Sequence, residues 1–147
     1  MRKITVTAAV LGLTTLGLAT PAAAEAAEDA VAGPGCAGKW GPPNGRMYAW
    51  DEQDCLGALL PVPHSGSWGP DADNRAASVM NRAYTSGFDH VAFYDKPTYA
   101  GGHVCLAPGE GYADDLTDNR FSDGTVVNDA ISAHRWVNGT ACGAFLT

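Results

Sequence analysis

The chain repeats itself. Residues 50–57 read WDEQDCLG, and forty-four positions later residues 94–101 read YDKPTYAG: an aromatic residue, an aspartate, five further residues, then glycine. The same offset sets Val62 on Leu106 and Trp68 on Tyr112. Each copy then closes on a related phrase, Asn74-Arg75-Ala76-Ala77-Ser78 in the first and Asn128-Asp129-Ala130-Ile131-Ser132 in the second. The offset there is fifty-four, so the second copy carries ten extra residues between Tyr112 and Asn128. They fall within ADDLTDNRFSDGTVV, a polar stretch that reads as a surface excursion. Matches that keep their order at workable spacing indicate a duplicated unit of about residues 46–82 and 90–137.

A glycine that ends a tight hairpin can take a positive φ, which a residue with a Cβ resists. An aromatic ring a few residues earlier can then lie over the bare backbone. Gly57 and Gly101 are the expected bare sites, with Trp50, Tyr94 and Tyr99 as the covering rings.

From Cys36 to Thr147 the chain is rich in Gly, Pro, Asp and Asn and lacks long helical periodicity. Its apolar runs are brief, at 47–50, 59–62, 91–94, 103–106 and 131–137. Short strands separated by turn residues predict one all-β domain over 36–147, built as a sandwich.

The ends add context. Arg2 and Lys3 precede an apolar run from Ile4 to Ala19, and Pro21-Ala22-Ala23-Ala24 offers a small-residue cleavage site. Residues 1–24 therefore read as a secretory signal cleaved after Ala24, with Ala27 as the alternative. Thr and Gly dilute the run, which falls short of the ~20 strongly apolar residues of a spanning helix. The mature protein is expected outside the cell, with no membrane attachment and as a monomer. Residues 25–35 are acidic and small, a leader ahead of the domain. Loss of the two positive charges of Arg2 and Lys3 takes the formal charge from −7 to −9. Phosphate binding needs a basic stripe, so no nucleic-acid partner is expected.

Cys36, Cys55, Cys105 and Cys142 all lie beyond the signal. An even number in a small exported domain reads as a disulfide framework. Three pairings are open. Cys36–Cys55 with Cys105–Cys142 is preferred because each half then closes locally. Zinc is a poor alternative, since the chain has no C-x-x-C and its four histidines are scattered.

The pattern aromatic–acid–three residues–aromatic–one residue–glycine, followed by an Asn/Asp-led phrase ending in serine, resembles the Greek-key motif of the βγ-crystallin superfamily. YDKPTYAG fits at each defining position; WDEQDCLG departs at Cys55, where the second aromatic belongs. With the signal, the cysteines and the phrases NRAASVMNR and NDAISAHRW, the chain is similar to secreted bacterial proteins grouped as peptidase inhibitor family I36. The resemblance covers about residues 46–137. It implies two Greek keys packed as a β-sandwich, each completed by a strand exchanged with its neighbour. It also implies a non-catalytic protein whose partner is an extracellular protease, with a metalloprotease as target, and no required cofactor.

The same resemblance implies a second role, as a calcium-binding structural or stress module. In the superfamily the phrase N/D-N/D-x-x-S/T-S surrounds Ca²⁺ with the hard oxygen ligands it favours. Asn128, Asp129 and Ser132 match it, with Ala133 in place of the last serine. Asn74 and Ser78 match in the first copy, where Arg75 stands at a position for Asn or Asp and would repel a cation. The plainer reading is that these Asn and Ser residues hold loop backbone. No inhibitory residue carries over by position. His103-Val104-Cys105-Leu106 sets apolar residues beside a tethered cysteine, and strand core is the plainer reading there too. The chain has no G-x-S-x-G, H-E-x-x-H or P-loop.

Overall fold

The structure, a computed structural model, describes residues 35–147. The expected signal lies outside the described residues, as does the leader apart from Gly35, which opens a short helix, α1 (Gly35–Lys39). Seven strands follow among the described residues: β1 (Arg46–Trp50), β2 (Gly66–Ser67), β3 (Ser78–Arg82), β4 (His90–Tyr94), β5 (His103–Leu106), β6 (Tyr112–Ala113) and β7 (Ala133–Val137). They form two antiparallel sheets, ordered β1-β3-β6 and β2-β7-β4-β5. β2 belongs to the first copy yet pairs with β7; β6 belongs to the second yet pairs with β3. The fold is thus the expected all-β sandwich of two Greek keys, interlocked by a mutual strand exchange.

Alternation along the strands explains the layers. Met47 and Ala49, Val91 and Phe93, and Val104 and Leu106 are two residues apart on their strands, and with Val79 of β3 they all face one shared core. The opposite faces are also covered. Cys36 and Cys55 pack with Trp50 and Met80 outside the first sheet. Cys142 packs with Ala92, Tyr94, Cys105, Ala133 and Val137 outside the second. Both disulfides join the preferred partners, Cys36–Cys55 and Cys105–Cys142. Val104, Cys105 and Leu106 are buried strand core, not a presented loop.

The backbone corrects the alignment of the copies. Ala77 N–H donates to Trp50 C=O as Ser132 N–H donates to Tyr94 C=O, and Asn74 and Asp129 both take positive φ, 56° and 53°. The offset at the closing phrases is therefore fifty-five, not fifty-four. Asn74 corresponds to Asp129 and Asp73 to Asn128, while Arg75 corresponds to Ala130 and occupies no Asn or Asp position. Trp68 N–H donates to Ser132 C=O as Leu116 N–H donates to Ala77 C=O, so Trp68 matches Leu116 and not Tyr112.

The inserted stretch is not a surface excursion. Leu116, Phe121 and Val127 from it are buried in the shared core. Its polar residues make this placement feasible by turning the chain: Asp115 accepts from Thr117 N–H at 2.8 Å and Asp123 from Thr125 N–H at 3.0 Å. Those bonds hold both carboxyls below their ordinary pKa, the Thr117 hydroxyl contributing most at Asp115 and the Thr125 N–H most at Asp123.

Candidate functional site

The duplicated hairpins have one backbone and two chemistries. Gly57 and Gly101 take φ of 67° and 76°, and the residues two before them, Cys55 and Tyr99, also take positive φ, 55° and 59°. Cys55 keeps the conformation of the aromatic position and replaces its ring with a disulfide. Rings are not what an added Cβ would first meet at the glycines. A Cβ on Gly57 or Gly101 would instead run into the carboxylate of Asp51 or Asp95. Asp51 Oδ1 accepts from Ala58 N–H across its turn, at 2.6 Å. The second copy does not repeat that bond: Asp95 Oδ1 is buried without a hydrogen-bond partner among the described residues. Tyr94 and Tyr99 pack edge to face at 5.4 Å, and the Arg135 guanidinium lies over both rings at 5.2 and 5.3 Å.

The two closing phrases meet across the pseudo-twofold. Asn74 N–H donates to Ile131 C=O and Asp129 N–H to Ala76 C=O, both at 2.9 Å. Ser132 Oγ donates to Asn74 Oδ1 at 3.3 Å, and Asn128 Nδ2 to Asp129 Oδ2 at 2.9 Å. Four of the five residues expected at a cation site thus lie on two loops joined to each other. Ser78 does not join them: its hydroxyl accepts from Cys55 N–H at 3.0 Å and donates to Glu52 C=O at 2.7 Å. Arg75 turns aside to Asp51 Oδ2 at 3.1 Å and to Asp71 C=O at 2.8 Å.

Asp73, which the sequence reading passed over, belongs to the same arrangement. Asp73 Oδ1 and Asn128 Oδ1, at equivalent positions of the two copies, are both buried without a hydrogen-bond partner among the described residues. A buried oxygen left unpaired costs about 1–3 kcal/mol, and two in register suggest a shared purpose. Aligning D-N-R-A-A-S with N-D-A-I-S-A, in place of the two Asn-led phrases, would have found it. No group of three or more His, Cys, Asp or Glu side chains converges among the described residues. A cation here would therefore rely on amide, hydroxyl and carbonyl oxygens beside the carboxylates.

One buried histidine stands apart. Trp68 Nε1–H donates to His134 Nδ1 at 2.8 Å, and His134 Nε2 lies 3.1 Å from His64 C=O. The indole donor leaves Nδ1 as acceptor, so the proton sits on Nε2 and the ring is neutral. Burial depresses its pKa to about 4.

Residues 23–106 match the model of peptidase inhibitor family I36. The chain belongs to peptidase inhibitor family I36. No curated protein matches it by sequence. Among solved structures it is similar to a βγ-crystallin from an archaeon, at 17% identity, over 62% of this chain and 95% of that one, with a TM-score of 0.45. A structure from work on the evolution of the eye lens βγ-crystallin domain fold matches at 20% identity, over 67% of this chain and 91% of that one, with a TM-score of 0.47. The N-terminal domain of protein S matches at 17% identity, over 63% and 94%, with a TM-score of 0.42. The I36 match spans the first copy, β4 and β5, and ends before β6 and β7, the second copy's partners in the strand exchange.

Proposed function

We propose that this I36 protein is exported and inhibits an extracellular peptidase, with metallopeptidases as its targets. The family match carries the reading. The architecture supports it, because a body stapled by two disulfides and a shared core loses little conformational freedom on docking. Disulfides suit an oxidising compartment, and no helix among the described residues is long and apolar enough to cross a membrane. The test is a panel of secreted metallo- and serine proteases incubated with the protein at micromolar concentration. Loss of metalloprotease activity is expected; undiminished activity throughout the panel would remove the reading.

A calcium-stabilised structural module is the second reading, favoured by the paired unpartnered oxygens of Asp73 and Asn128. Asp73, Asn74, Asn128, Asp129 and Ser132 would supply the ligands. So few carboxylates point to an affinity on the order of 10⁻⁴–10⁻³ M, the range of extracellular calcium modules. Calcium in hundredfold excess over the dissociation constant would add about 2.7 kcal/mol of stability. Thermal melts with calcium and with chelator decide it: a higher midpoint in calcium, lost in Asp73→Ala, is expected, and coincident melts would dismiss the idea.

A further inference from the structure

The two copies differ most where the first should have a fourth strand. In the second copy β4 is flanked by β5, paired from Tyr94↔His103 to Val91↔Leu106. The first copy begins the same ladder at the same offset, with Trp50 bridged to Leu59 and Leu60 N–H donating to Ala49 C=O at 2.9 Å. There it stops. Val62 should face Met47 as Leu106 faces Val91, but its N–H folds back to Leu60 C=O. Pro61 and Pro63 stand on either side of Val62, and their fixed φ steers the chain away from β1.

The outer edge of β1 is consequently open. Asn81, opposite Met47 on β3, sends its N–H away from β1 to Gly111 C=O. By the alternation of an antiparallel pair, Met47 N–H and C=O then point outward, and neither has a hydrogen-bond partner among the described residues. Between β1 and the departing segment lies a groove of about 380 Å³, lined by Met47, Tyr48, Leu60 and Val62 with Arg46 and His64 at its polar margin. The fourth strand of the other sheet has no such opening: Cys105 N–H donates to Ala144 C=O and Leu146 N–H to Cys105 C=O, so the C-terminal tail covers that edge.

We propose that the vacated strand position receives an extended segment of a partner polypeptide, added antiparallel to β1. The second copy shows the chemistry of the occupant, since β5 fills the equivalent place there. Two outward backbone groups on one residue call for a strand, and the apolar lining calls for apolar side chains at alternate positions. The basic groups lining the groove are Arg46 and His64, with no carboxylate among the lining residues. Running antiparallel, the segment brings its C-terminal end to Arg46, and an acidic residue belongs there.

The test is fluorescence anisotropy with the full-length chain and a labelled hexapeptide of alternating valine and threonine ending in glutamate. Saturable binding is expected. It should weaken at least tenfold when alternate peptide nitrogens are methylated, and by a similar factor in Arg46→Glu. The double variant Pro61→Val with Pro63→Thr releases φ at both positions, so that Val62 can reach Met47, the chain's own segment closes on β1 and binding disappears. Absence of saturable binding, equal binding of the methylated peptide, or undiminished binding to a folded double variant would each overturn the proposal. Should the double variant not fold, the methylated peptide decides alone. Amide exchange at Met47 in the free chain should be fast; protection like that of Val91 would mean the chain already fills the position, and would also overturn it. Peptide capture requires no protease, so this assay and the protease panel fail separately.

Discussion

At Gly101 a left-handed backbone and a crowded neighbour coincide, and a control separates them. Gly124 also has positive φ, 90°, but an added Cβ there would meet nothing within 4 Å. Gly124→Ala should cost only the left-handed penalty of about 1–2 kcal/mol, while Gly101→Ala adds the collision with Asp95. Urea melts check this, with Gly101→Ala expected to be the less stable variant. His134 makes a second prediction. Above its ordinary pKa of 6.5 the ring is neutral whether the chain is folded or not, and its contribution to stability is whole. Between pH 6.5 and about 4 the unfolded chain takes up a proton that the folded core refuses, so stability falls as pH falls. The slope is about 1.4 kcal/mol per pH unit and the whole loss about 3 kcal/mol. From pH 7 to 4.5 the parent should therefore lose about 2–3 kcal/mol more than His134→Gln, and equal losses in urea melts would refute the assignment.

Strands were legible in the sequence where side chains decide them and hidden where partners do. The runs at 47–50, 91–94, 103–106 and 131–137 correspond to β1, β4, β5 and β7, because alternation and β-branched or aromatic residues mark half-buried ladders. The run at 59–62 is as apolar as the rest yet gives one bridge, since Pro61 and Pro63 fix φ on either side of Val62, whose N–H turns back to Leu60 C=O and misses the next rung. β2 and β6 are two residues each, and only the exchange between copies makes them strands. The two closing phrases were legible as a repeat but aligned one residue off, because matching Asn74 to Asn128 looked better than matching it to Asp129, and backbone φ is not written in side-chain identity. The cysteine pairing was legible because each bridge closes within its own half of the chain. Cys36–Cys55 also covers Trp50 and Met80, so Cys36→Ser with Cys55→Ser should cost about 2–4 kcal/mol in denaturant melts. A change below 1 kcal/mol would mean that α1 holds that face unaided.

The molecule as a whole depends on an exchange that no covalent link enforces. Each sheet contains a strand from the other copy, and Asn81 at the end of β3 donates to Asp89 C=O and Leu106 C=O, at 2.8 and 3.0 Å, across the join. Tyr84 and Phe88 in the connecting segment are exposed. A protease site inserted between Ser86 and Gly87, once cut, should leave two fragments that elute together from a sizing column and part only in denaturant. Separate elution in native buffer would show that each copy stands alone.

The placement of the disulfides has a consequence for how such a chain matures. The four cysteines bond in the order in which they emerge, first with second and third with fourth. An oxidant that joins each thiol to the next one to appear makes both native links at the first attempt, leaving no mispaired form for an isomerase to rescue.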